Sequence, residues 1–328
     1  MKSKRLLLLL ILSALCLSNL LADHEAKITF HLITDDGKTL TNFPYQASAW
    51  KTSFISTQDR AIQVSGKTDN KGLVTLELPY SYGRISHGIP YNSSGYYNQN
   101  SNLIPTNLLS GHWQPWNPTI DVVVKPILNP IAMYARNVRQ TLGGPVIIPA
   151  TNVPVGFDLE AGDWVAPYGK GTVADFVFTK KDKTPFIENT QPFDVIWTLS
   201  FSNNGDGIQS VLEPQNAGSA LRLPRYAPET GYKSILVQEL SYDGKKWEKG
   251  AIGEDQNYFF RVRSVLDEQG NVKSALYGKI SGPVGCGGYG SVRFTYYLNP
   301  TPNDRNMEFD PSKNLFQNLP SLQQVKAP

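Results

Sequence analysis

Cysteine is almost missing from this chain. Only Cys16 and Cys286 occur, and the first sits in an apolar leader, so the processed chain keeps one thiol and forms no internal disulfide. Its stability must come from packing. Charge is sparse too: Asp, Glu, Lys and Arg make up 18% of residues, and Lys and Arg nowhere form the clustered patch that nucleic acid or an anionic membrane requires. The four histidines, His24, His31, His87 and His112, are scattered. H-E-x-x-H, C-x-x-C and G-x-S-x-G are all lacking, which removes the specific support for zinc or serine chemistry. The expectation is a chain with no metal, no cofactor and no catalytic residue. Long apolar runs are missing after the leader, as is sustained helical periodicity. Short helices are conceivable only near 132–142 and 315–325, where Pro320 interrupts the second.

The leader itself is distinctive. Lys2, Lys4 and Arg5 precede an apolar run from Leu6 to Leu17, too short for the roughly 20 residues of a transmembrane helix but suited to a secretory signal. Residues 1–22 are expected to be a signal peptide cleaved after Ala22, leaving no transmembrane anchor in the mature chain. Cys16 follows Leu15 rather than a small residue, so it belongs to the apolar run and not to a lipidation site. Cleavage removes three basic residues and no acidic one, and the formal charge of +3 falls to neutrality. The expected location is secreted, periplasmic or cell-surface. No pattern specifies an oligomeric state.

Period-two alternation, the mark of a strand with one buried face, recurs throughout. Phe193, Val195, Trp197, Leu199 and Phe201 form its clearest instance. The same pattern appears at Ile28, Phe30 and Leu32, at Val74, Leu76 and Leu78, at Tyr258, Phe260 and Val262, and at Val292, Phe294, Tyr296 and Leu298. Turn signals such as Asp36-Gly37, Asp243-Gly244 and Asn203-Asn204-Gly205-Asp206-Gly207 separate them. The fold class is therefore all-β, with two antiparallel β-sandwich-like domains of immunoglobulin or transthyretin type. Crowded Pro and Gly around 126–154 place a boundary near 135. The expected parts are 23–135, 136–310 and an extended tail over 311–328.

Two stretches of the first part carry a resemblance. A strand followed by Asp35-Asp36-Gly37-Lys38-Thr39-Leu40, and Thr68-Asp69-Asn70-Lys71-Gly72-Leu73 leading into Val74, Leu76 and Leu78, are similar to the transthyretin-like, or carboxypeptidase regulatory-like, β-sandwich family. In physical terms Asp69 can cap the turn and Gly72 can take a positive φ. The resemblance implies a non-catalytic accessory domain, interrupted here by a long aromatic loop over 79–118.

Within that loop, Tyr96, Tyr97, Trp113 and Trp116 are the candidate ligand-binding residues, because aromatic rings beside amides suit a sugar ring or a protein surface. The expected function is non-catalytic, structural or binding, with a glycan or an envelope protein as partner. The alternative is a carbohydrate-binding or carbohydrate-active protein that uses this loop and the acidic residues Asp158, Glu160, Asp163 and Asp175 as an acid–base or nucleophile pair. Arg261 and Arg263 lie on one strand face and are expected to meet solvent or carboxylates. Gly285-Cys286-Gly287-Gly288-Tyr289-Gly290 matches a dinucleotide fingerprint only formally, since a strand and not a helix follows it.

Overall fold

The computed structural model describes residues 24–51, 60–80, 82–141, 144–187, 191–212, 218–249 and 256–328. The expected signal peptide lies outside them. The chain forms two compact units, one of Met1–Leu128 with Asn216–Ala220 and one of Asn129–Gln215 with Leu221–Pro328. The described residues hold strands and two short 3-10 turns, Pro311–Lys313 and Ser321–Gln323, and no α-helix. Where short helices were conceivable, 134–138 is a strand paired along its length with another, and the second stretch holds one 3-10 turn. Pairing into a sheet overrides weak local helix propensity there.

The first unit contains β1 (Glu25–Ile33), β2 (Pro44–Lys51), β3 (Arg60–Lys67), β4 (Leu73–Pro79), β5 (Tyr82–Gly88), β6 (Asn100–Leu103), β7 (Asn107–Leu109), β8 (His112–Gln114) and β9 (Thr119–Val123). One sheet runs β4-β1-β8-β7 with β9 also on β1, and the other runs β3-β2-β5-β6. Alternation drives their packing. Ile28, Phe30 and Leu32 of β1 and Val74, Leu76 and Leu78 of β4 bury one face against Tyr45, Ala47 and Ile85 of the second sheet. Each large side chain so buried contributes about 1.5–3 kcal/mol. Asp69 Oδ1 accepts the N–H groups of Lys71 and Leu73, and Gly72 has φ +75°, as the turn chemistry requires. β1 departs from antiparallel pairing: β8 and β9 lie parallel to it.

The stretch 79–118 is not a loop. It carries β5 to β8, which complete both sheets, and Tyr80, Ile85 and Ile89 enter the core. β6, β7 and β8 are four, three and three residues long, too few alternations to register as strands, and in β5 Gly and Ser blur the pattern.

The second unit contains β10 (Tyr134–Val138), β11 (Gln140–Thr141), β12 (Gly144–Ile147), β13 (Val155–Asp158), β14 (Asp163–Trp164), β15 (Phe176–Thr184), β16 (Phe193–Ser200), β17 (Gly207–Leu212), β18 (Ile235–Tyr242), β19 (Trp247–Lys249), β20 (Gln256–Leu266), β21 (Val272–Cys286) and β22 (Ser291–Asn299). Its sheets run β14-β13-β15-β16-β18-β19 and β11-β12-β22-β21-β20-β17, the latter with β10 on β22. Phe157, Phe176, Phe178 and Trp197 from the first meet Tyr258, Phe260, Phe294 and Tyr296 from the second. Phe176 and Phe260 cross edge-to-face at 5.0 Å, an arrangement the ring quadrupoles favour.

The larger sheet is buried on its outer face as well. Phe259 and Tyr277 are covered by Leu223, Ala227 and Met307, and Tyr297 by Met133, Phe309 and Val325. Lys279 is buried there with Nζ donating to the Met307 carbonyl at 2.8 Å and lying 4.5 Å from the centre of the Tyr297 ring. Residues 311–328 are docked rather than trailing. Arg136 donates to Gln323 at 2.8 Å, and Tyr297 donates to the Ala327 carbonyl at 3.3 Å.

Candidate functional site

In the first unit the partner of β1 is broken. Glu25 faces His112 of β8, and residues 29–33 face Thr119–Val123 of β9. Between them lie Pro115 and Pro118, which have no N–H to give to a ladder. The chain leaves the sheet there and touches β1 again through Asn117 N–H to the Lys27 carbonyl and Thr29 N–H to the Pro118 carbonyl, both at 2.9 Å. The segment 103–106, passing from one sheet to the other, lies across the break. The result is a cavity of about 280 Å³ walled by Ile28, Leu103, Ile104, Trp113, Pro115 and Ile120.

One of the four sequence candidates, Trp113, lines this cavity, and Trp116 lies outside its walls. Trp113 Nε1 donates to the Tyr80 carbonyl at 3.0 Å, and the ring is edge-on to Tyr80 at 5.1 Å. Trp116 is 37% exposed, lies 4.3 Å from the His112 ring and 5.8 Å from Nζ of Lys27, and Lys27 pairs with Glu77 at 3.0 Å. Tyr96 and Tyr97 are elsewhere, beside Lys125 and Pro126 past the far end of β9. Tyr96 packs edge-on against Phe43 at 4.9 Å, and Tyr97 is buried.

The acidic candidates of the second unit converge on one cation. Arg263 reaches Asp175 with Nε at 2.8 Å and Nη2 at 3.0 Å, Glu160 with Nη1 at 2.9 Å, and Asp158 with Nη2 at 3.4 Å. The two-pronged contact with Asp175 is the strong geometry for a guanidinium and a carboxylate. Asp158 is also filled from the backbone. Its Oδ1 accepts from Glu160 and Ala161, and its Oδ2 from Thr172 and Val173, at 2.9–3.0 Å. Burial opposes ionisation of Asp158, but these four N–H groups outweigh it and hold the carboxyl below its ordinary value. Burial pushes Asp175 up, against the pull of Arg263. Asp163 holds a turn, accepting from Trp164 and Lys170 N–H.

Asp206, within the run of turn residues 203–207, adds a contact that the sequence did not disclose. Its carboxylate accepts the backbone N–H groups of Arg263 and Ser264 at 3.1 and 2.8 Å, and Arg263 has φ +54°. The cluster therefore ties β13 and the residue before β15, in one sheet, to β20 in the other. Alternating Phe260-Arg261-Val262-Arg263 gave Arg263 a face; nothing in the sequence gave it Asp158 and Asp175 as partners. Arg261 donates to the Gly205 carbonyl at 2.7 Å and lies 4.8 Å from the Tyr232 ring centre.

Cys286 ends β21, and burial pushes its thiol up to about 12, so it is no nucleophile at neutral pH. Among the described residues no group of three or more His, Cys, Asp or Glu is placed to hold a metal ion. No described helix is long and apolar enough to cross a membrane.

No family model matches the chain, and no curated protein matches it. Among solved structures it is similar to a DUF3823 family protein from Parabacteroides merdae, at 8% identity over 83% of this chain and 96% of that one, with a TM-score of 0.21. It is also similar to a point mutant of the shaft pilin SpaA from Lactobacillus rhamnosus GG, at 15% identity over 56% of this chain and 90% of that one, with a TM-score of 0.22. Neither likeness carries its neighbour's role to this chain.

Proposed function

We propose that this is an exported, non-catalytic binding protein of the cell envelope or surface, with its recognition site on the first unit, at the cavity that Trp113 lines and at the exposed ring of Trp116 next along the chain. The observation that carries the non-catalytic part is the commitment of the acidic group: Asp158, Glu160 and Asp175 are bound to Arg263, and Asp158 and Asp163 are also occupied by backbone N–H groups. A glycosidase needs one carboxyl held for proton donation and a second facing the sugar. Carboxylates that tie two sheets together serve a different end. The turn built by Asp69 and Gly72 supports placing the first unit with the transthyretin-like accessory domains.

The test is depletion of the purified chain from Asp23 onward by insoluble polysaccharides and envelope preparations, with release of reducing ends measured in parallel. Selective depletion that Trp116→Ala weakens, with no turnover, is the expected result. Trp116 is the preferred probe because Trp113 also packs against the core, where truncation costs about 3–5 kcal/mol at full burial. Depletion on no surface, or turnover that Asp163→Asn abolishes, would overturn the proposal.

A further inference from the structure

β7 is the outermost strand of its sheet and pairs only with β8. Between them, Ser110 and Gly111 both have positive φ, +49° and +81°, which is the type I′ turn of a two-residue hairpin. In such a hairpin the residues flanking the turn, Leu109 and His112, exchange hydrogen bonds. Leu108, one step further, then directs its N–H and C=O away from β8. No described backbone group meets them. The Gly111 carbonyl accepts the Glu25 N–H at 3.0 Å, which fixes the hairpin to β1 and keeps this edge in place.

Edge strands are normally blunted by charge, proline or a bulge. The opposite edge of this sheet, β4, carries Glu77 and ends in Pro79. β7 reads Asn-Leu-Leu, with Leu108 42% and Leu109 65% exposed. Leu108 stands directly opposite Trp113 and so shares the face on which Trp113 borders the cavity. The segment across the cavity, with Ile104 68% exposed, runs straight into β7.

We infer that β7 takes up an extended segment of another polypeptide as an added strand, anchored by an aliphatic or aromatic side chain set against the neighbouring cavity. This rests on the binding reading above and names the partner's chemistry. Backbone groups at Leu108 supply the hydrogen bonds, and alternate side chains of the incoming strand supply the selectivity. The cavity favours a peptide over a glycan. Its walls are mainly aliphatic and proline, and the Trp113 N–H is already given to Tyr80, so sugar hydroxyls would lose water there without replacement. A second copy of β7 is disfavoured because pairing two three-residue strands falls well short of the roughly 1,000 Å² of a stable interface.

The experiment is fluorescence anisotropy of labelled octapeptides that alternate threonine with leucine, added to the intact chain from Asp23. Saturable binding is expected. It should weaken about tenfold, the equivalent of one lost hydrogen bond, when the peptide amides on one edge are N-methylated, and similarly when alanine replaces leucine. Leu108→Pro removes the outward N–H without touching the bonds to β8 and should give the same loss, with the melting curve of each variant recorded; the N-methylated peptides test the idea even if that variant misfolds. Equal affinity for methylated and unmethylated peptides would overturn the inference, as would a concentration-dependent dimer that Leu108→Pro dissolves. Depletion by envelope preparations without any peptide binding would remove this inference and leave the proposed function standing.

Discussion

Arg263→Ala tests the sheet-to-sheet latch. The substitution leaves Asp175, whose side chain is fully buried, without its cation, and takes one contact each from Asp158 and Glu160. Removing one partner of a buried ion pair costs about 3–5 kcal/mol. The lower end applies, because Leu159 N–H still donates to Asp175 at 2.9 Å and Asp158 keeps its four backbone donors. At about 2–4 °C per kcal/mol for a domain of this size, the second unit should melt roughly 6–12 °C lower. The loss should depend on pH in a particular direction. Burial already raises Asp175, and without Arg263 it rises further; a carboxyl with a folded pKa above its unfolded one destabilises when ionised, and that penalty vanishes as pH falls toward the unfolded value. Urea denaturation at pH 7 and near pH 4.5 should show a smaller deficit in acid, and a smaller one again in an Asp175→Asn background. Arg263→Gly should be milder than Arg263→Ala by about 1 kcal/mol, since φ +54° suits glycine. A deficit below about 1 kcal/mol at pH 7, or one that grows in acid, would refute the latch.

Two further predictions concern the first unit. His87 is buried, accepts or donates at 2.7 Å with the Tyr45 hydroxyl, and is pushed down to about 4 by burial; because the unfolded chain takes the proton first, stability should fall by up to about 3 kcal/mol as pH drops from 6.5 toward 4. His87→Gln should flatten that slope in pH-dependent urea titrations, and an unchanged slope would place the acid sensitivity elsewhere. Gly72→Ala would bring a Cβ to 2.7 Å from Thr39 Cγ2 and 2.9 Å from the Leu32 carbonyl at φ +75°, so a loss above about 1 kcal/mol is expected; a melting temperature within a degree of the parent would show that the turn relaxes freely.

What the sequence disclosed follows from how far each signal reaches along the chain. β16 was legible because Phe193, Val195, Trp197 and Leu199 alternate with a face on which Ile196 is the one apolar exception, and the buried face is the one that the pattern names. The turn at Asp69 and Gly72 was legible because its chemistry is complete within six residues. β20 was half legible: Tyr258, Phe260 and Val262 alternate, yet Phe259 is buried too, because a segment far along the chain covers the other face. β7 and β8 were missed, each being three residues long. The four aromatic candidates share a composition but not a place, and only contacts from β1 and the 103–106 crossing decide which of them border a cavity. The carboxylates were visible, but Arg263 lies 88 residues beyond Asp175, and nothing local in the sequence pairs them.

The covering of the large sheet by distant chain has a consequence for the order in which the protein is made. β10 finds its partner only when β22 has been synthesised, and the outer face around Tyr297 is closed by Val325, which comes later still. The first unit also waits, since the residues around Ser219 that pair with Gln99 come from the middle of the second. Neither unit can be finished while its remainder is unmade, so the nascent chain carries apolar strands uncovered. The first sandwich therefore closes only after Asn216–Ala220 has been made, and the second only after β22 and the segment that reaches Val325.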